Sequence, residues 1–369
     1  MKKSPSQILM KSVLCILLFL ISSTAVAQIL PVGLYEGLMA NTGVATTRSK
    51  AASYYNPSLL RQRQDNAFSL NGNSIGAINS KNEGQTFSSS LGLAPSYLSN
   101  LVVGEDLVHE FFVANTLQGL FSWQSSKNET SFDAEANISR MVSGYSMAFK
   151  SIPFAIQFLA RYSEAKTFGV GESSFPAQDI YVVSKTKSEY KNLNVALGLS
   201  THFQFEHYSL GVNFNSRGLS LYNQNKGSSR IFTHGSPPGD FTVTEDDDAR
   251  SSVTNEEGKL LIGHGFKVGH HEFLTDSSFV EVSGNLDRYT FSQSFGYRYG
   301  AADGHQLLCG ISHRFGSDVD YFGQNFNTSV GYSWKTRALR SAIGFYYGKE
   351  STTVENSTVG VVFGSEYEY

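Results

Sequence analysis

Cysteine is almost missing from this sequence. Cys15 and Cys309 are the only two in 369 residues, so a disulfide framework is excluded as the source of stability. Long apolar runs are missing as well. After Ala27 no stretch approaches the ~20 consecutive apolar residues that a membrane helix needs, so any membrane crossing has to be made of strands. Charge is sparse and balanced: charged residues make up 17% and the formal net charge is −3, which offers no basic surface to nucleic acid.

What is present begins with Lys2, Lys3 and Lys11, then the apolar run Val13 to Ile21 and the small-residue sequence Ala25-Val26-Ala27. This order predicts a secretory signal peptide over residues 1–27, cleaved after Ala27. No acidic residue precedes Glu36, and the apolar run is about half the length of a spanning helix. Cys15 lies inside that run rather than at the cleavage point, which argues against a lipid-modified cysteine. Cys309 would then be the mature chain's one thiol. Aromatics reach 13%, with 27 Phe and 19 Tyr beside 34 Gly, a mix suited to alternating strands with aromatic belts. A mean hydropathy of −0.20 does not conflict with that, because barrel strands hide their apolar half in the alternation.

The alternation is clearest near the C-terminus. Tyr289, Phe291, Phe295, Tyr297 and Tyr299 point one way, with Thr290, Ser292, Ser294, Gly296 and Arg298 between them. Leu307, Cys309, Ile311 and Phe315 repeat the period of two after an Asp303-Gly304 hairpin signal. A soluble antiparallel sandwich would alternate too. The last segment separates the two readings: Val359, Val361, Phe363, Tyr367 and Tyr369 alternate up to a terminal aromatic. Gly364, Tyr367 and Tyr369 resemble the C-terminal insertion signal of outer-membrane proteins, while Val362 departs from it where a polar residue is usual. As the edge of a soluble sheet, such a strand would invite aggregation.

Fourteen strands are predicted, near 66–78, 86–94, 111–124, 132–149, 154–163, 190–203, 207–222, 258–268, 272–283, 288–299, 305–315, 324–334, 339–348 and 355–369. The third and ninth are the weakest, so twelve is the alternative; an even count is expected of a bacterial barrel. Connections near 150–153, 204–206, 269–271, 300–304 and 335–338 are short and fall on one side, which makes that side periplasmic. Long polar connections at 164–189 and 223–257 fall on the other with 316–323 and 349–354, and the 95–110 connection is an exception to this parity.

Residues 28–65 are not strand-like. Gly33, Gly37, Gly43, Ala45, Ala51 and Ala52 suit close packing against other backbone, as a plug inside a lumen requires; a disordered exported leader is the alternative. Gly33-Leu34-Tyr35-Glu36-Gly37 through Gly43-Val44-Ala45, followed by Ala51-Ala52-Ser53-Tyr54-Tyr55-Asn56-Pro57-Ser58, resembles the N-terminal hatch of the FadL-type transporters of long-chain fatty acids and other hydrophobic compounds. In that family a Gly/Ala-rich stretch leads into Asn-Pro-Ala before the first strand; Ser58 is a conservative departure. The resemblance implies an all-β fold: an antiparallel transmembrane barrel of about 14 strands over 66–369, with a hatch over 28–65 inside the lumen. It also implies a monomer that passes hydrophobic molecules inward through a pocket and a lateral opening. Asn56, Pro57 and Ser58 are the positions it carries over, as pivots of the hatch; a plain turn at Asn56-Pro57 accounts for them equally well.

Other clusters carry less. Glu245-Asp246-Asp247-Asp248 lacks the spacing of a calcium loop and reads as a solvated extracellular segment. His264, His270 and His271 offer no fourth zinc ligand. Ser312-His313 face opposite ways, no Gly-x-Ser-x-Gly elbow is present, and Pro237-Pro238-Gly239 marks a loop tip. Arg161, Arg217 and Arg298 are candidates to line the interior. The chain is therefore expected to be a passive transporter for hydrophobic compounds such as fatty acids, without enzymatic activity, metal or cofactor. Its expected partners are a hydrophobic ligand, membrane lipids, lipopolysaccharide, periplasmic chaperones and the barrel-insertion machinery. A porin-like channel for polar solutes and a structural or adhesive surface barrel are the alternatives.

Overall fold

The computed structural model describes residues 32–33, 35–46, 51–82, 85–90, 93–127, 130–175, 180–235, 240–246, 258–281, 289–300, 304–316, 324–351 and 355–369. The expected signal peptide lies outside them. The strands are β1 (Ala67–Asn82), β2 (Gln85–Ser90), β3 (Leu93–Val103), β4 (Leu107–Lys127), β5 (Thr130–Phe149), β6 (Phe154–Phe175), β7 (Ile180–Gln204), β8 (Tyr208–Asn215) and β9 (Leu219–Gly235). They continue as β10 (Asp240–Asp246), β11 (Lys259–Val268), β12 (His271–Glu281), β13 (Tyr289–Gly300), β14 (Gln306–Gly316), β15 (Gln324–Thr336), β16 (Leu339–Ser351) and β17 (Glu355–Glu368).

Every pairing is antiparallel, and β17 returns to β1 with Tyr367 opposite Phe68, so the sheet closes on itself. Two wall positions are built from tandem segments, β2 with β3 and β8 with β9, and β10 is an extra strand on the outer part of β9. Fourteen strands close the ring, the number the alternation predicts. Closure pairs β1 with β17 and so removes the two edges an open sheet of these strands would have.

Alternation decides which face meets lipid. Phe111, Phe158, Leu199, Phe214, Phe273, Phe295 and Val330 are all well exposed on the outer face. Their sequence neighbours Glu110, Gln157, Ser200, Asn213, Glu272, Ser294 and Ser329 are buried on the inner face. A polar inside and an apolar outside is the pattern of a membrane barrel and the reverse of a soluble sandwich.

Among the described residues the connection parity has no exception. β3 and β4 fill most of 95–110, leaving 104–106 as a third short turn beside 150–153 and 205–207. The expectation of long loops is corrected: β6 runs on to Phe175, β7 starts at Ile180, and β9 and β10 cover most of 219–246. Past Tyr162 most outward residues turn polar, Phe168 and Tyr181 excepted, so both faces of these strands read alike and the period of two fades from the sequence. Cross-strand ion pairs hold this part instead, including Lys191 with Glu164 at 3.9 Å, flanked by Lys166–Glu164 at 2.8 Å and Lys191–Glu189 at 2.7 Å. Glu245 and Asp246 are likewise on β10, opposite Arg230 and Ser229, rather than in a loop. Asp247, Asp248 and the Pro237-Pro238-Gly239 tip lie outside the described residues.

Candidate functional site

Among the described residues, three short elements precede β1: α1 (Tyr35–Leu38), α2 (Ala52–Tyr55) and a 310 helix over Pro57–Gln62. None is long enough to be stable alone, so their order comes from what they touch, which is the inner wall. Val32, Tyr35, Leu38, Met39, Val44, Ala45, Ala51 and Leu60 are all essentially inaccessible to solvent.

The turn after α1 is tight. Gly33 sits at φ +79°, and Ala40 and Asn41 take φ 54° and 64°. Asn41 N–H donates to the Glu36 carbonyl at 2.7 Å, closing the end of α1 through the left-handed region that favours Gly and Asn. The wall then supplies polar anchors. Asp276 Oδ2 on β12 accepts from Gly43 N–H at 2.7 Å and Val44 N–H at 2.9 Å. Ser329 Oγ on β15 accepts from Ala40 N–H at 3.0 Å. Ser209 Oγ on β8 donates to the Ala45 carbonyl at 2.7 Å, and Asn213 Nδ2 donates to the Tyr55 carbonyl at 2.8 Å.

Asn56 is the hub. Its Nδ2 donates to the Val44 carbonyl at 2.8 Å and to the Thr201 carbonyl of β7 at 3.1 Å. Its Oδ1 accepts from Ser58 N–H at 3.2 Å and Ser58 Oγ at 2.6 Å. It is thus an N-cap for the 310 helix, with Pro57 in the first position, where a missing N–H costs nothing. Ser58 N–H also reaches Ser200 Oγ at 3.0 Å. Of the other predicted residues, Gly37 is buried within α1. At Gly43 a Cβ would come within 2.7 Å of the Tyr55 ring.

The wall holds a feature the sequence reading missed. Gly211, Gly263, Gly296, Gly310, Gly331 and Gly344 all face inward where the segment passes. A Cβ on Gly263 would lie 2.9 Å from Ala45 N, one on Gly310 would run into the Met39 and Ala40 backbone, and one on Gly344 would meet Leu38. The register brings them side by side as Gly211–Gly263, Gly296–Gly310 and Gly331–Gly344. Backbone packs on backbone along this half of the ring, which only residues without a Cβ allow.

The opposite half is apolar. Val32, Ala51 and Tyr55 pack with Tyr97, Phe112, Ala114, Val142, Leu159 and Ala196. Leu59 and Leu60 join Leu101, Val108, Ala148 and Ala155 nearer the short turns. Polar contacts punctuate it: Ser53 Oγ donates to Glu110 Oε2 at 2.6 Å, and Gln157 Nε2 to the Ser53 carbonyl. Burial pushes the Tyr35 phenol up to about 12 and holds Tyr54 and Tyr55 above their ordinary value, so all three are neutral donors at physiological pH.

Beside this apolar cluster the wall is interrupted. β4 pairs with β3 only as far as Ala114 and with β2 only from Leu120. Among the described pairings, residues 116–119 of β4 have no ladder partner on that side. Its ladder with β5 shifts register between Asn115 and Leu117, a bulge carrying Thr116. Bulges bend a strand and end pairing locally.

Arg298 faces inward and pairs with Glu272, Arg161 lies near Tyr54, and Arg217 is exposed at the break between β8 and β9. His264 and His271 are each bonded to a tyrosine hydroxyl. Ser312 and His313 stand at adjacent positions of β14.

No family model matches the chain, and no curated protein is similar to it in sequence. Solved structures are similar in fold. The Pseudomonas putida toluene transporter TodX superposes with a TM-score of 0.66 at 14% identity, over 93% of this chain and 99% of that one. The fold is that of the FadL-type channels. The Ralstonia pickettii toluene transporter TbuX gives 0.64 at 12% identity, over 93% and 99% of the two chains. A Pseudomonas aeruginosa FadL homologue gives 0.60 at 10%, over 92% and 99%. The FadL-type likeness thus extends over nearly the whole of each chain, far beyond the thirty residues that carry it in the sequence.

Proposed function

We propose that this chain is an outer-membrane channel for passive uptake of hydrophobic compounds, and that residues 28–65 are its hatch. The observation that carries the reading is the pairing of an apolar cluster around Tyr97, Phe112 and Ala114 with the interrupted ladder of β4 directly beside it. A hydrophobic solute gains nothing from a water-filled pore and needs an apolar site with an exit that avoids water. The break at 116–119 would open such an exit sideways into the membrane. The segment is latched by hydrogen bonds on the glycine half and packed by apolar contact on the β3–β7 half. Solute entering the apolar half competes with the second set of contacts while the first holds the hatch in place.

Long-chain fatty acids are one candidate substrate. Small aromatic hydrocarbons are the other, favoured by the toluene transporters among the structures with this fold. The test is uptake of labelled oleate and labelled toluene by cells lacking their own transporters and expressing the chain with and without residues 28–65, surface insertion being checked for both. Uptake of either solute that changes on removal of the segment supports the reading. A properly inserted barrel that takes up neither, yet conducts ions in a planar bilayer, points to a pore for polar solutes instead.

A further inference from the structure

Cross-strand pairs of one geometry recur on the outer face, at the end of the barrel with the short turns. His109 on β4 meets Tyr145 on β5, and His264 on β11 meets Tyr208 on β8, each with ring Nδ1 2.7 Å from the hydroxyl. His271 on β12 meets Tyr297 on β13 at 2.8 Å. In all three the partners are diagonal neighbours. His109 stands opposite Met147, His264 opposite Leu210 and His271 opposite Tyr299, each two residues from the tyrosine it bonds. His305 and Tyr332 repeat the arrangement between the start of β14 and β15.

His109 and His271 lie on the turn side of their tyrosines, and the next outward residues toward the middle of the strands are apolar, Phe111 and Phe273. His264 lies further in: His271 stands opposite Val268, and exposed Phe266 and Val268 come between His264 and the turn. A phenol at this boundary needs a hydrogen-bond partner. With the hydroxyl donating to Nδ1, the imidazole keeps its proton on Nε2 and presents a second donor on the other side of the ring. Exposed turn charges at this end are of both signs, Lys150, Lys267 and Arg337 against Glu105, Asp106 and Glu206. Bulk attraction of an anion therefore largely cancels, and local donors decide what binds.

We propose that the His109–Tyr145 and His271–Tyr297 pairs are binding sites for the phosphodiester headgroups of glycerophospholipids in the periplasmic leaflet. The phosphodiester's non-bridging oxygens are acceptors only and carry charge, so each takes a charge-assisted bond from Nε2–H, shorter and stronger than a neutral one. A tyrosine hydroxyl that donates to Nδ1 leaves the ring proton on Nε2, and the apolar residues above it take the acyl chains. The pairs lie on separate strand pairs, so each holds its own lipid.

The test uses the full-length protein in maltoside micelles and counts bound lipid by native mass spectrometry. The probes are palmitoyl-oleoyl phosphatidylglycerol and a diglucosyl diacylglycerol with the same chains and no phosphate. The wild type should retain up to two more phospholipid than glycolipid molecules. The H109F/H271F variant keeps ring bulk and removes the donor, and its phospholipid retention should fall at least five-fold, to the glycolipid level. Tyr145→Phe should weaken one site and leave the other. Equal retention of both lipids by the wild type, or undiminished phospholipid retention by the histidine variant, overturns the proposal and leaves an aromatic belt only. Should the double variant fail to fold, as read from the heat-dependent shift of its electrophoretic mobility, His109→Phe alone should lose one bound phospholipid, and its retention of all of them is equally fatal. Uptake of hydrophobic solute is expected to be unchanged, so this outcome is independent of the channel reading.

Discussion

Asn56 uses both ends of its amide; the Ser58 N–H that its acceptor end caps has a second acceptor in Ser200 Oγ. The donor half ties the Val44 carbonyl and the Thr201 carbonyl together; the acceptor half caps the helix that follows. Asn56→Ala strands two buried carbonyls and is expected to weaken docking of the segment by about 1–3 kcal/mol. Hydrogen exchange at residues 43–46 and 56–60 measures it, and unchanged protection there would count against the hub role. A second expectation concerns Gly310. Its Cβ would run into the Met39–Ala40 backbone, which has no side chain to swing aside. Gly310→Ala should cost roughly 1–3 kcal/mol by overpacking and speed tryptic cleavage after Arg61 and Arg63. Gly300→Ala, whose Cβ would meet nothing nearer than 3.8 Å, should leave cleavage at the wild-type rate. At this scale the sequence was readable where chemistry is local. Asn56-Pro57-Ser58 announces a cap because a cap needs only three consecutive residues. Asp276, Ser209 and the six inward glycines were not readable as one site, because strand register alone brings them to the same stretch of backbone.

Among the elements, the strands that span the membrane were legible for the same reason that they are stable there. Lipid outside and a polar lumen inside force a period of two, and Phe295, Tyr297 and Tyr299 write it openly. β10 and the far ends of β6, β7 and β9 were invisible because water bathes both of their faces, so Lys166, Lys191 and Glu189 carry no alternation at all. The break beside β4 was hidden too, since a bulge is one residue too many in a pairing that the sequence does not state. Deleting Thr116 removes that residue and lets the β4 ladder run in register. Under the channel reading, hydrophobic uptake should then fall at least ten-fold in a barrel that still shows heat-dependent electrophoretic mobility. Uptake at the wild-type rate would mean that solute leaves by another route.

For the molecule as a whole, height is unequal around the ring. β7 has 25 residues and β11 has 10. At ~3.3 Å per residue and a tilt of ~40°, these rise about 60 Å and 25 Å, and the shorter is already enough for the apolar band of a membrane. The upper part of β6 and β7 is therefore held by its own ladder and ion pairs rather than by lipid. Deleting residues 168–187 should leave a folded, heat-modifiable barrel; loss of the folded form would show that the wall closes from the top. Among the described residues β4–β7 are thus the longest strands of the sheet, and their far half, with Glu164, Lys166, Glu189 and Lys191 paired across it, stands clear of the lipid. Whatever meets the protein there meets paired, charged strand rather than loop.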